Sequence, residues 1–174
     1  MKPALKKALD PYIRLAPFFG IGLVVAAVLL GAAMFWQRSS QLEMSGSILK
    51  VRTLALDDRS AAVILDLRVA NPSHYTVVVR RADIALVDLS GNTLEGEAIS
   101  EMDVRRLFEY FPILGQKYND SLVVRTKIGP GLSLDCMLAA RFEVSEQQLK
   151  ARQRLRIHIE DLDGPSLDLV EQPR

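Results

Sequence analysis

From about residue 48 to residue 160 the chain alternates apolar and polar positions with period two. The clearest tract is residues 132–144. Leu132, Leu134, Cys136, Leu138, Ala140, Phe142 and Val144 share one parity, and Ser133, Asp135, Arg141 and Glu143 share the other. Successive side chains of an extended chain point to opposite faces, so this tract predicts a strand with one face in a core. Leu155, Ile157 and Ile159 against Arg156, His158 and Glu160 predict a second. Residues 60–70 predict a third, with Val63, Leu65, Leu67 and Val69 inward and Asp66 and Arg68 outward. Asn71-Pro72-Ser73 ends it, because proline cannot donate to a strand ladder.

Residues 75–89 predict a long strand whose inward set changes phase. Val77 and Val79 have one parity, and Ala82, Ile84 and Leu86 the other. One extra residue near Arg80-Arg81, a bulge, reconciles them. Ser90-Gly91-Asn92 reads as a turn, and residues 94–99, 48–56 and 122–128 complete a set of about seven strands.

Residues 100–112 break the pattern. Ser100, with Asp103 three positions on, starts a helix in the manner of a capping box. Val104, Leu107, Phe108 and Phe111 follow the i, i+3, i+4, i+7 spacing of one helical face, and Pro112 stops the run. Ser145 to Gln148 reads as a weaker helical turn. About seven antiparallel strands with one short inserted helix predict a mainly β fold, an Ig-like sandwich over residues 47–170.

Upstream the pattern is different. Residues 15–36 are 22 positions without a charge, LAPFFGIGLVVAAVLLGAAMFW. As a helix they rise about 33 Å, enough to cross a hydrocarbon core. Pro17 falls in the first turn, where its missing N–H costs little, and Trp36 falls at the headgroup edge. Residues 1–14 form a basic tail, 37–46 a polar stalk and 171–174 a short end. Gly31-Ala32-Ala33 allows a second reading, a cleavable signal peptide. No Leu-x-x-Cys precedes a lipid-bearing cysteine here.

Charge orients this segment. Lys2, Lys6, Lys7, Arg14 and Arg38 stand against Asp10 alone in the first 38 residues, while the whole chain balances 22 basic with 21 acidic residues. Excess Lys and Arg before the span predicts a cytoplasmic N-terminus in the inner membrane and a periplasmic or otherwise extracytoplasmic C-terminal domain. A near-neutral chain also argues against nucleic acid, whose phosphates require a basic excess.

Three stretches resemble known families. Val69-Ala70-Asn71-Pro72 at a strand end is similar to the Asn-Pro of the late-embryogenesis-abundant group 2 (water-stress, WHy) domain. Ile84-Ala85-Leu86-Val87-Asp88 followed by Gly91 is similar to the strand and turn of a bacterial family named for Phe-x-Leu-Tyr-Asp, with Ile for Phe and Val for Tyr. Ile128-Gly129-Pro130-Gly131-Leu132-Ser133 resembles a Pro-Gly turn that both place before a late strand. The resemblance covers about residues 48–144, and the helix at 101–111 departs from it. It implies an Ig-like, often membrane-tethered module without a shared catalytic site.

Candidate chemistry is sparse. Cys136, on an inward parity, reads as a buried hydrophobe. His74 and His158 read as solvated. No Gly-x-Ser-x-Gly occurs, and Gly129-Pro130-Gly131 lacks the Lys-Ser/Thr of a phosphate loop. Glu160-Asp161-Leu162-Asp163-Gly164 lacks the ligand spacing of a calcium loop. Asn119-Asp120-Ser121 is a formal glycosylation sequon to which we assign no role. Arg105-Arg106 and Arg80-Arg81 read as solvated pairs balanced by Glu101, Glu109 and Asp83. No catalytic residue, cofactor or metal is expected, and the chain is not expected to be an enzyme.

One stretch stands out, Phe108 to Leu114. Arg106, Tyr110, Ile113 and Leu114 are expected to lie exposed and to bind a partner. The expected function is a membrane-anchored, protein-binding or assembly component of an envelope complex. Its partners would be the bilayer and another membrane or envelope protein. A lipid-like ligand-binding or stress-protective module is the alternative.

Overall fold

The computed structural model describes residues 26–31, 44–164 and 166–172. Two compact units meet at residues 41 and 42. In the first, residues 26–31 are an exposed helix, α1. The remainder of the expected span 15–36, the basic tail 1–14 and the stalk as far as residue 43 lie outside the described residues. Among the described residues no helix is long and apolar enough to cross a membrane.

The second unit is mainly β. Its elements are β1 (Ser45–Ala55), β2 (Ala61–Ala70), β3 (Val77–Val87), β4 (Thr93–Glu95), β5 (Glu97–Ala98), α2 (Glu101–Tyr110), a 3-10 turn (Pro112–Leu114), β6 (Lys127–Ile128), β7 (Ser133–Phe142), α3 (Glu146–Lys150), β8 (Arg154–Asp161) and β9 (Ser166–Val170). They make two antiparallel sheets, one in the order β1-β2-β7-β5 and one in the order β4-β3-β8-β9, with β6 also on β3. The sheets face each other across one core that holds Val63, Leu65, Leu67 and Val69 of β2, Cys136 and Phe142 of β7, and Leu155, Ile157 and Ile159 of β8. These are the inward parities that alternation assigns.

The phase change in β3 is a bulge. Pairing with β8 shifts register between Val79 and Arg81, so Val77 and Val79 before it and Ile84 and Leu86 after it all reach the core. The Asn71 side chain, itself buried, donates to the carbonyls of Tyr75 (2.6 Å), Ile128 (2.9 Å) and Gly129 (3.1 Å) and so fixes the end of β2. Ser145 and Gln148 close a full capping box on α3.

Several expectations are corrected. The described residues contain nine strands, not about seven. The expected strand at 94–99 is two: β4 pairs with β3, and β5 pairs with β7 in the other sheet. The chain changes sheets at Gly96, where an added Cβ would stand 2.7 Å from both the Ala140 Cβ and the Phe142 ring. Of 122–128 only Lys127–Ile128 is strand; Arg125 adopts φ 70°, which takes the preceding residues out of extended geometry. Ser166–Val170 is a strand that the alternation of Leu167 and Leu169 alone was too short to announce. The stalk gives up Ser45 and Gly46 to β1. Glu171 is no loose end: its carboxylate takes a two-point contact from Arg152 at 2.8 and 2.6 Å.

The largest departure concerns the first sheet's outer face. A second apolar cluster covers it, made of Leu54, Ile64, Val104, Leu114, Met137 and Ala139, with Leu107 and Phe108 packed against them. Both faces of β2 and β7 are therefore covered, and a strand buried on both faces reads as a continuous apolar run rather than an alternation. Asp66, expected to face solvent, is 4% exposed.

Candidate docking surface on the inserted helix

Helix α2 is set by its sequence from both ends. The Ser100 hydroxyl accepts from the Asp103 amide at 3.2 Å, and Glu101 and Asp103 place negative charge at the positive end of the helix. At the other end the Phe111 amide still reaches the Leu107 carbonyl, and Pro112 then forces the tighter 3-10 turn. Val104 is fully buried, with Leu107 and Phe108 half-buried on the same side. A fully buried side chain of this size contributes about 1.5–3 kcal/mol, so Val104 and Leu114 are the main anchors of the insertion.

Three of the four expected docking residues lie on the solvent side. Tyr110 is 77% exposed and Ile113 86%. The Arg106 side chain is 61% exposed and holds Asp103 at 3.4 Å. Met102, at 65%, extends the same exposed apolar set. Leu114 is the correction. It is 3% exposed, because the 3-10 turn swings it under the helix into the second cluster while Ile113 is left outside.

Beneath the helix sits a group that the alternation hid. Arg52 of β1 and Asp66 of β2 form an ion pair, Nη2 to Oδ2 at 2.8 Å, with both side chains 6% exposed. The Asn119 amide donates to the other carboxylate oxygen at 3.0 Å. The Phe108 ring lies over the Arg52 guanidinium, 5.3 Å from its carbon, a cation–π distance. None of the three Arg52 nitrogens has a hydrogen bond of good geometry among the described residues, so the pair is a charge contact rather than a fork. Only part of the signal was present in the sequence. Ala61 to Leu65 is apolar at every position before Asp66, as in a strand covered on both sides, although Asp66 and Arg68 then resume an alternation.

Cys136 is buried, and that burial, with the charges of Asp135 and Asp66, pushes its thiol up to about 12. His74 is exposed. His158 lies on the outer face of the second sheet, 2.8 Å from Asp168. Asp161 is buried and accepts the Val78 amide at 2.6 Å, so the acidic turn is committed to the fold. No cluster of metal-ligating side chains occurs among the described residues. The arginine pairs are neutralised locally: Arg80 by Glu160, Arg81 by Asp83 and Arg105 by Glu101.

No family model matches this chain, and no curated protein matches it. Two solved structures are distantly similar. The crystal structure of Northeast Structural Genomics Consortium target SoR45 has a TM-score of 0.34 at 9% identity, covering 76% of this chain and 82% of that one. The Iho670 flagellar-like filament has a TM-score of 0.33 at 11% identity, covering 94% and 98%.

Proposed function

We propose that this chain is a membrane-tethered, non-enzymatic binding module. An Ig-like sandwich stands outside the cytoplasm on the span at residues 15–36 and holds a partner protein of the envelope. The observation that carries this reading is the exposed set on the insertion, Tyr110 and Ile113 beside Arg106. Aromatic and arginine side chains are the types that dominate interface energetics, and large apolar residues left in water on a well-capped helix favour a binding role over a structural one. The sandwich supplies rigidity and the insertion supplies the contact.

The test is capture of the partner by the full chain in mild detergent, compared with the Arg106→Ala/Tyr110→Ala variant. Both side chains are exposed, so the variant should unfold within about 1 kcal/mol of wild type, as surface changes do. Loss of the partner with folding intact supports the surface. Retention of the partner, or marked unfolding, removes it. Reporter fusions after Gly46 test the topology: activity from a cytoplasm-dependent reporter would reverse the orientation.

A further inference from the structure

The strand pairings gather three turns at one end of the sandwich. Ser45 at the start of β1 pairs with Ala70 at the end of β2, and Ala70 pairs with Ser133 at the start of β7. On the other sheet Val79, near the start of β3, pairs with Asp161 at the end of β8. Residues 71–76 cross from one sheet to the other here, so they share this end with the turns at 129–132 and 162–164. Each turn holds one large apolar side chain in water: Tyr75 is 70% exposed, Leu132 60% and Leu162 60%.

These turns are fixed in place. The buried Asn71 side chain binds the carbonyls of Tyr75 and Gly129, and the Asn71 amide donates to the Leu132 carbonyl at 2.9 Å. The third turn is tied to β3 by the Leu162 amide on the Val78 carbonyl at 2.9 Å. Connections held by a rigid scaffold are where binding residues concentrate. The three turns contain no lysine or arginine, and Asp163 is their only carboxylate. The connections at the opposite end bear exposed Asp57, Asp58, Arg59 and Glu143 as well as exposed Leu89.

The chain itself indicates what meets the apolar end. Met44, the residue before β1, is buried in the core. It follows Trp36, the last residue of the expected span, by eight positions, at most about 29 Å of fully extended chain. A tether of that length keeps this end of the sandwich within the same distance of any bilayer that holds residues 15–36.

We infer that the turns bearing Tyr75, Leu132 and Leu162 are a docking surface for that bilayer and enter the headgroup layer of zwitterionic lipid. Tyrosine favours this layer, where its ring is in the apolar boundary and its hydroxyl in water. The leucines enter the acyl boundary as the apolar faces of interfacial segments do. With no basic cluster in the turns, apolar area holds the contact, so neither anionic lipid nor low salt is required. The inference rests on the reading of residues 15–36 as a span, and it shares no residue with the docking surface on α2.

The test uses the full chain in phosphatidylcholine vesicles. An environment-sensitive fluorophore is placed on Tyr75→Cys, Leu132→Cys or Leu162→Cys, and lipid with a nitroxide high on its acyl chain is the quencher. Cys136 is buried and stays unlabelled. Quenching is expected at all three turn positions, at high salt as at low, and not at Leu89→Cys, an equally apolar site at the opposite end. Leu132→Glu/Leu162→Glu should lower the ratio of docked to free domain, read from a label on Tyr75→Cys, at least about tenfold, the scale of losing one buried leucine. No quenching at the turns, equal quenching at Leu89→Cys, loss at high salt, a requirement for anionic lipid, or undiminished quenching in the glutamate variant would each overturn the inference. A label on Phe35→Cys separates the two readings. Quenching there but not at the turns leaves the span standing and removes the docking surface; none there removes the span and the docking surface with it. Should the glutamate variant fail to fold, the pattern across the turn positions and Leu89→Cys decides.

Discussion

Replacing Asp66 by leucine strands a guanidinium in an apolar layer. Arg52 is 7% exposed and lies under the Phe108 ring, so it cannot turn to water without lifting α2. Removing one partner of a buried ion pair costs about 3–5 kcal/mol, most of it the uncompensated charge left behind. Asn119 also loses its acceptor, but it is half-buried and can find water, so it adds at most about 1 kcal/mol. A domain of this size is stable by only about 5–15 kcal/mol, and Asp66→Leu should therefore leave it near its threshold. The double variant Arg52→Met/Asp66→Leu should behave otherwise. The native contact at 2.8 Å is poorly directed, none of the arginine nitrogens being well bonded, and so it recovers little of its desolvation cost. Apolar replacement of both partners should return stability to within about 1 kcal/mol of wild type, on either side. Urea titration of the full chain, followed by far-ultraviolet circular dichroism, reads both. Midpoints should move by roughly 2 M for the single variant and return for the double, with slopes unchanged. If Asp66→Leu costs under about 1 kcal/mol, the layer beneath α2 is wet and the pair is ordinary surface electrostatics. If the double variant is as unstable as the single one, the charges hold the insertion in place and the argument from desolvation is wrong.

Gly96→Ala should lower stability by about 1–3 kcal/mol in thermal melts, since its Cβ would sit 2.7 Å from Ala140 and 2.9 Å from the Ile84 carbonyl at the change of sheets. Leu114→Ala should cost about 2–5 kcal/mol while its neighbour Ile113→Ala stays within about 0.5 kcal/mol; the reverse order would place the 3-10 turn the other way up. Cys136 keeps its proton up to about 12 against an ordinary 9.0, so a thiolate-selective reagent at pH 8 should modify it only after unfolding. The folded state holds the proton that the unfolded chain releases, so this group leaves stability unchanged below pH 9.0 and lowers it progressively from 9.0 towards 12.

What could be read from residue order was whatever parity or local spacing controls. Strand faces in β2, β3, β7 and β8, the bulge at Arg80-Arg81, and the start and stop of α2 all depend on neighbours within a few positions. What could not be read depends on a partner distant in sequence. Parity put Asp66 and Val63 on opposite faces correctly, but it does not say that α2 returns to cover the outer one. Leu114 follows Ile113 in a turn with no period, so nothing local told which of the two is buried. The split at Gly96 is set by contact with Ala140 and Phe142 of a strand some forty positions on. Of the expected docking set, Arg106 and Tyr110 were legible because they fall off the apolar face of an amphipathic helix.

The pairing of β2 also sets a schedule for folding. Its two edges are claimed at very different times: β1 lies just upstream and can close a hairpin at once, whereas Ala61 must wait for Phe142 and Ala70 for Ser133. Until the ribosome has released β7, the most apolar strand of the domain stands with one edge open, and everything from β3 to β6 must be looped out before that edge is closed. Loop closure on this scale adds entropy that only late contacts return, which places the domain among slow, non-local folders. A nascent chain in that interval presents an unpaired apolar edge to its surroundings. Newly made protein, rather than the finished fold, is therefore the form of this molecule most in need of a chaperone.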